Sequence, residues 1–213
     1  MMTILCWLNT VLDNITNREK KQHKLLVRIP YTALFALFLC SCVNNRLVKD
    51  MEKFMNQQIS FPMEYKAIWN AKDTVLTDFS EVPIKLVIWY DSLGCTSCEA
   101  GKMRIWNDVV AEADSLSQWF RIIYLFTPKK EDLNKVTAAI KGDKFNYPVF
   151  IDQNATFIKQ NPNLPKNRRL HSFLLDKNNR VIIVGNPLHN PTLWQFYKNA
   201  IKKMIDNYGI LQH

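Results

Sequence analysis

Two cysteines three positions apart carry the clearest chemistry in this sequence. Cys95 and Cys98 are spaced C-x-x-C, and the other three of the five cysteines lie within the first 42 residues. Two neighbouring thiols can form a disulfide and pass it on by thiolate exchange, so the pattern predicts a redox dithiol. A purely structural disulfide is the alternative, although so short a loop constrains the unfolded chain only slightly.

The same spacing occurs in zinc sites, which need two further ligands, normally a second cysteine pair or a closely spaced histidine pair. After residue 42 the chain has no second pair of cysteines, and its only histidines are His171, His189 and His213. The five glycines form no phosphate-binding loop, which argues against nucleotide enzymes. The sequence therefore predicts no metal site and no cofactor.

The dithiol is expected at the junction of a strand and a helix. Ile84–Tyr90 is a short apolar run rich in β-formers, typical of a buried strand, and Asp91–Gly94 follows as a turn. From Cys98 onward apolar residues recur at helical spacing, namely Met103, Trp106, Val109 and Val110.

A position at the first turn of a helix has a chemical consequence. The unpaired N–H groups there favour a thiolate over a thiol. We expect Cys95 to face solvent as the nucleophile and Cys98 to point inward as the resolving cysteine. The flanking acids Asp91 and Glu99 are candidates to accept a thiol proton, or are simply solvated residues.

The remainder of the chain alternates between helical and extended patterns. Residues 46–59 favour a short helix or tether, and the chain ends in a helix from Pro191 to about Asn207, capped by Asn190. Together the elements predict one α/β domain with helices on both faces of a mixed sheet. The remaining predictions are a hairpin in Tyr65–Leu76, strands at Arg121–Phe126 and Tyr147–Ile151, a helix from Glu131 to Lys141 stopped by Gly142, and a hairpin of His171–Asp176 with Val181–Val184.

The first 41 residues have the layout of an export signal. Five basic residues precede an apolar run, Ile29–Leu39, which is shorter than the roughly 20 residues that cross a bilayer. The run ends in Leu39-Cys40-Ser41-Cys42, which resembles a bacterial lipobox. That resemblance implies that Cys42 becomes the lipidated first residue of the mature protein. An uncleaved signal anchor or a buried core helix are the alternatives.

The chain is basic, with a formal net charge of +9. Cleavage before Cys42 would leave 23 Lys+Arg against 17 Asp+Glu, an excess that suits the anionic surface of a membrane. The basic residues are scattered, and the tightest group is Lys166, Arg168 and Arg169. With the expected export, nucleic acid is not a predicted partner.

The element order, with C-x-x-C after the first core strand, resembles the thioredoxin fold over about residues 61–208. With the leader, it is most similar to exported, membrane-anchored thiol–disulfide oxidoreductases of the TlpA-like group. The resemblance implies a signal peptide at 1–41, a tether or short helix at 42–60 and a thioredoxin-like domain at 61–213. It also implies a periplasmic lipoprotein of a Gram-negative-type envelope, catalytic Cys95 and Cys98, protein disulfides as substrates, and a membrane electron donor.

Two positions depart from the family pattern. Gly94 stands where the family usually has tryptophan, and Leu170 stands where it has the cis-proline that faces the dithiol and helps to bind substrate backbone. A cis bond before Leu170 would cost about 3 kcal/mol, so a trans loop is expected. His171 would then lie close to the dithiol, where it could stabilise a thiolate or move its proton. Otherwise it is an ordinary histidine at the edge of a strand.

Two other functions remain open from the sequence. A lipid-anchored binding or accessory module could keep the fold with a non-catalytic disulfide, which the missing proline favours. A peroxiredoxin-type peroxidase is suggested by Ser92, three residues before Cys95, although the proline expected in that motif falls at Ile88.

Overall fold

The computed structural model describes residues 46–77, 81–116 and 118–211. The chain divides into two units, Met1–Val48 and Lys49–His213. Of the first unit only residues 46–48 are described, and they are helical. The predicted signal peptide, the lipobox and Cys42 therefore lie outside the described residues.

The second unit begins with a helical segment, residues 49–54, and continues as an alternation of strands and helices. Short 3-10 turns at Met103–Trp106, Lys130–Asp132 and Arg168–Leu170 lie among them. The elements are β1 (Glu64–Trp69), β2 (Lys72–Thr77), β3 (Ile84–Tyr90), α1 (Thr96–Ala100), α2 (Asn107–Asp114), β4 (Phe120–Phe126), α3 (Leu133–Asp143), β5 (Val149–Ile151), α4 (Thr156–Gln160), β6 (Ser172–Leu175), β7 (Val181–Val184) and α5 (Pro191–Asp206).

The strands form one mixed sheet in the order β2-β1-β5-β4-β3-β6-β7. Strand β4 runs parallel to both β3 and β5, whereas β1, β2, β6 and β7 pair antiparallel with their neighbours. The sheet and its crossovers have the architecture of the thioredoxin fold. The predicted α/β class is confirmed.

Both faces of the central strands are buried, which explains why β3 is apolar at every position except Lys85. Ile84, Leu86 and Ile88 face one core, which is covered by side chains of α2, α3 and α5. Val87 and Trp89 face the other core, together with Phe54, Ile59 and Phe157 among others. Helices therefore lie on both faces of the sheet, as the sequence predicted.

The segment predicted as a short helix or tether is helical over residues 49–54 and packs against the sheet in its described part. The Phe54 ring meets Phe173 of β6 edge to face, with ring centroids 5.1 Å apart. Ile59 is buried, and its N–H donates to the Asn179 carbonyl. The packed unit therefore begins before residue 61.

Two helix predictions differ from the structure. The helix expected to run on from Cys98 is broken into α1, a 3-10 turn and α2, because Met103 and Trp106 are both drawn fully into the core. Gly142 does not end α3. The helix continues to Asp143, whose carboxylate accepts the Arg104 N–H at 2.8 Å, and Lys144 ends it in a left-handed conformation with φ 56°.

None of the helices in residues 46–77, 81–116 and 118–211 has both the length and the apolar character needed to cross a bilayer.

Candidate active site

Cys95 and Cys98 form a disulfide at the carboxyl end of β3. Their Cα atoms are 5.2 Å apart, and both residues are exposed to solvent. The Ser97 hydroxyl lies 3.8 Å from Cys95 Sγ. Exposure of Cys95 agrees with the prediction. The inward orientation predicted for Cys98 is wrong, because Thr96 and Ala100 are the residues of this turn that enter the core.

The helix that follows the first cysteine is shorter than expected. Cys95 is its N-cap, and the Cys98 and Glu99 N–H groups donate to the Cys95 carbonyl. Helix α1 has only five residues, so it contributes few aligned peptide dipoles at the dithiol.

Asp91 organises the turn between β3 and Cys95. Its side chain is buried, at the end of the β3 row that includes Val87 and Trp89. Oδ1 accepts the Leu93 N–H at 3.2 Å, a local hydrogen bond typical of an aspartate that initiates a turn. The same oxygen lies 3.2 Å from Arg168 Nε. Asp91 thereby ties a residue 77 positions along the chain to the dithiol turn.

Arg168 lies directly over the residue that precedes the dithiol. A Cβ added to Gly94 would overlap the Arg168 guanidinium group, and that side chain is 47% exposed. The glycine found where the resemblance predicts tryptophan therefore leaves room for a cation next to Cys95. This placement explains the departure from the family pattern in steric terms.

His171 lies beneath this ion pair and is 4% exposed. Its ring stacks on Trp89, with centroids 4.0 Å apart. Nε2 donates to the Pro165 carbonyl at 2.8 Å, since a carbonyl only accepts. Nδ1 lies 3.9 Å from Asp91 Oδ2. Burial lowers the pKa of His171, an effect that the Pro165 carbonyl and Asp91 partly offset and that Arg168 reinforces.

In the described part of the chain, no hydrogen bond joins His171 to either sulfur. The structure does bring His171 to the dithiol turn, where Nδ1 lies 3.9 Å from Asp91 Oδ2 and makes no hydrogen bond within the described residues. Its predicted action on a thiolate proton stays a prediction.

The loop before β6 takes the place of the family's cis-proline segment. It contains no cis bond, and Arg168–Leu170 form a single 3-10 turn with Leu170 buried. The Leu170 N–H donates to the Asn167 carbonyl, and the His171 N–H donates to the Arg168 carbonyl. The backbone of this loop is thus hydrogen-bonded within the loop and not extended along the dithiol.

Within the described residues, no group of three or more His, Cys, Asp or Glu side chains is arranged to hold a metal ion. The groups that lie together here are the disulfide, the Asp91–Arg168 ion pair and the buried His171 ring.

Sequence reasoning missed Arg168 as a residue of the site. It noted only that Lys166, Arg168 and Arg169 form the tightest basic group. Two features of the sequence could have indicated Arg168. One is the unexpected glycine before the first cysteine, and the other is the basic group before the strand that faces the dithiol. Nothing in the spacing alone joins positions 94 and 168.

Comparisons with known proteins give structural likenesses at low identity. No family model matches the chain, and no curated protein matches it. A solution structure of a putative protein disulfide isomerase from Bacteroides thetaiotaomicron is 15% identical, with TM-score 0.47 over 72% of this chain and 94% of that one. A putative thiol:disulfide interchange protein DsbE from Chlorobium tepidum is 15% identical, with TM-score 0.45 over 69% and 99%. AhpC of Enterococcus faecalis is 14% identical, with TM-score 0.46 over 70% and 95%.

Proposed function

We propose that this chain is a thiol–disulfide oxidoreductase of the cell envelope that reduces or exchanges disulfides of exported proteins. The observation that carries the proposal is the solvent-exposed disulfide between Cys95 and Cys98 at the carboxyl end of β3. In open α/β sheets this edge is where ligands bind and chemistry occurs. An exposed disulfide is also the kind that other thiols can reach.

The reaction runs through two exchanges. In the reduced protein, the Cys95 thiolate attacks one sulfur of a substrate disulfide, forms a mixed disulfide and releases the other substrate sulfur as a thiolate, which takes a proton from solvent. Cys98 then loses its proton and attacks Cys95 Sγ. This attack releases the second substrate thiol and closes the Cys95–Cys98 disulfide. The protein loses two electrons, and the substrate gains them.

A further cycle needs a dithiol donor that returns the disulfide to two thiols. We propose that a membrane protein of the envelope is this dithiol donor. The lipid attached at Cys42 would hold the chain near it, a placement suggested by the lipobox-like Leu39-Cys40-Ser41-Cys42.

The side chains around Cys95 suit this chemistry. The Arg168 guanidinium beside Gly94 favours the thiolate form of the neighbouring cysteine by Coulomb attraction. Asp91 fixes that guanidinium through Nε. Leu93, 77% exposed in the same turn, offers an apolar contact to a bound polypeptide.

Reduction of insulin by dithiothreitol tests the proposal. We expect the wild-type protein to accelerate the precipitation of the insulin B chain above the rate with dithiothreitol alone. The Cys95→Ser variant should give no acceleration, because it lacks the attacking thiol.

Parallel measurement of hydrogen peroxide consumption distinguishes the peroxidase alternative. We expect no consumption above the dithiothreitol background. A wild-type protein that is fully reduced by dithiothreitol, yet leaves insulin reduction at the background rate, would contradict the proposal and support an accessory module with an inert disulfide.

A further inference from the structure

The loop that faces the dithiol leaves little backbone for a substrate to pair with. Its Leu170 and His171 N–H groups are used within the loop, and the His171 carbonyl accepts the Trp89 N–H at 2.9 Å. The Arg169 N–H donates to the Asn167 side chain. A substrate held here must therefore contact side chains more than backbone.

The side chains that this loop exposes are basic. Lys166, Arg168 and Arg169 are all exposed, and no acidic residue occurs between Asn161 and His171. Arg168 places part of this positive charge next to the dithiol, because its guanidinium lies over Gly94, the residue bonded to Cys95.

The acidic groups near the dithiol offset this charge only in part. Asp91 is paired with Arg168, but the Asp91 carboxylate is buried whereas the Arg168 guanidinium is exposed to solvent. Glu99 is half-buried next to Cys98, and Lys102 is exposed three residues further on. His171 adds no positive charge at neutral pH, because burial lowers its pKa. The outward face beside Cys95 is therefore net positive.

We propose that this basic loop, residues 162–170, selects polypeptides whose disulfide is flanked by acidic residues. The inference rests on the proposed thiol–disulfide exchange and names the substrate class of that site. A carboxylate next to the reacting sulfur would meet Arg168 or a neighbouring cation as Cys95 attacks. Charge complementarity of this kind acts mainly on encounter and orientation, and it weakens with salt.

Three synthetic peptide disulfides test the selection. They share one sequence, except that the residues flanking each cysteine are Glu, Gln or Lys. The measured quantity is the second-order rate constant for oxidation of the reduced Cys95–Cys98 protein. Each value is divided by the rate constant of the same peptide with dithiothreitol, which removes differences in the reactivity of the peptides themselves.

We expect the Glu peptide to react about tenfold faster than the Lys peptide at low salt, since two unit charges about 6–10 Å apart in water contribute about a two- to threefold factor for each pair. The ratio should fall to about twofold at 0.5 M NaCl. The double variant Lys166→Gln/Arg169→Gln, which leaves the Asp91–Arg168 pair intact, should lower the low-salt ratio to about threefold or less. Gly94→Ala displaces the Arg168 guanidinium without changing the net charge, and it should also lower the Glu-to-Lys rate ratio.

The double variant Lys72→Gln/Lys202→Gln is the matched control. It removes two exposed cations on β2 and α5 and should leave the ratio unchanged.

Equal normalised rates for the Glu and Lys peptides, with the Gln peptide still reacting, would overturn the selection and leave the proposed function intact. An equal loss in the control variant would also overturn it, because net charge and not the loop would then be responsible. A Gln peptide that fails to oxidise the reduced protein would instead refute the proposed function itself.

Discussion

Replacement of His171 by phenylalanine changes both the stability of the protein and its dependence on pH. The variant keeps a ring to stack on Trp89 but loses the hydrogen bond from Nε2 to the Pro165 carbonyl. A buried acceptor left without its donor costs about 1–3 kcal/mol. We therefore expect the free energy of unfolding at pH 7.5 to fall by about that amount.

The pH dependence follows from the direction of the pKa shift. Burial lowers the pKa of His171 in the folded protein, so the unfolded chain takes up its proton first as the pH falls. The stability of the wild type must therefore decline below about pH 6.5, with a slope from this residue of at most about 1.4 kcal/mol per pH unit. The variant lacks this contribution. The difference in the free energy of unfolding between wild type and variant, called the stability gap below, should therefore narrow by up to about 1.4 kcal/mol between pH 7.5 and 5.5.

Urea unfolding at pH 7.5, 6.5 and 5.5, followed by circular dichroism at 222 nm, measures this gap. His189→Gln, which removes an exposed histidine, is the matched control for the loss of one histidine. Parallel pH profiles for the wild type and His171→Phe, or a gap that widens toward acid, would show that His171 is not held neutral by its surroundings.

The same variant tests the predicted action of His171 on the dithiol. Because Nε2 is engaged by Pro165 and Nδ1 faces Asp91, we expect the pH profile of disulfide exchange to keep its shape in His171→Phe. If the rate of disulfide exchange instead rises or falls at a different pH in the variant, the imidazole exchanges protons with a cysteine.

Two further predictions concern other parts of the chain. Lys85 is buried in β3 and donates to the Val82 carbonyl at 2.5 Å; burial, partly offset by Asp176 and Glu81, lowers its pKa to about 8. Lys85→Met should therefore unfold at higher urea at pH 7, with a gain of about 1–2 kcal/mol in the free energy of unfolding. This gain should shrink as the pH rises above 8, where the folded lysine is neutral and the unfolded lysine still holds its proton. Cys42→Ser should abolish incorporation of labelled palmitate and release the protein from the membrane fraction, whereas a variant that stays labelled would exclude Cys42 as the lipid site.

Much of the fold could be predicted because local signals and tertiary structure agree. The β3 bounds match the apolar run Ile84–Tyr90, since a strand buried on both faces needs no polar alternation. The Asn190 cap and Pro191 start of α5 were also confirmed, with the Asn190 side chain accepting the Leu193 N–H at 3.0 Å.

The differences arise where distant contacts outweigh local preference. Gly142 does not stop α3, which continues to Asp143, where the carboxylate accepts the Arg104 N–H. Cys98 faces solvent because the side chains of Thr96 and Ala100 fill the core at this turn. The Arg168 guanidinium over Gly94 joins residues 74 positions apart, a contact that periodicity and spacing do not encode. Sequence reasoning located the dithiol, whereas its electrostatic surroundings required the fold.

Capture of a mixed disulfide by the Cys98→Ser variant tests the central claim most directly. Without the second thiol, the complex formed when Cys95 attacks a substrate disulfide cannot be resolved by Cys98. After reduction, desalting and incubation with a peptide disulfide, mass spectrometry of Cys98→Ser should show one peptide attached through Cys95, while the wild type returns to its internal disulfide and releases free peptide thiol. A Cys98→Ser protein that carries no peptide, although its Cys95 thiol is free and exposed, would contradict the account.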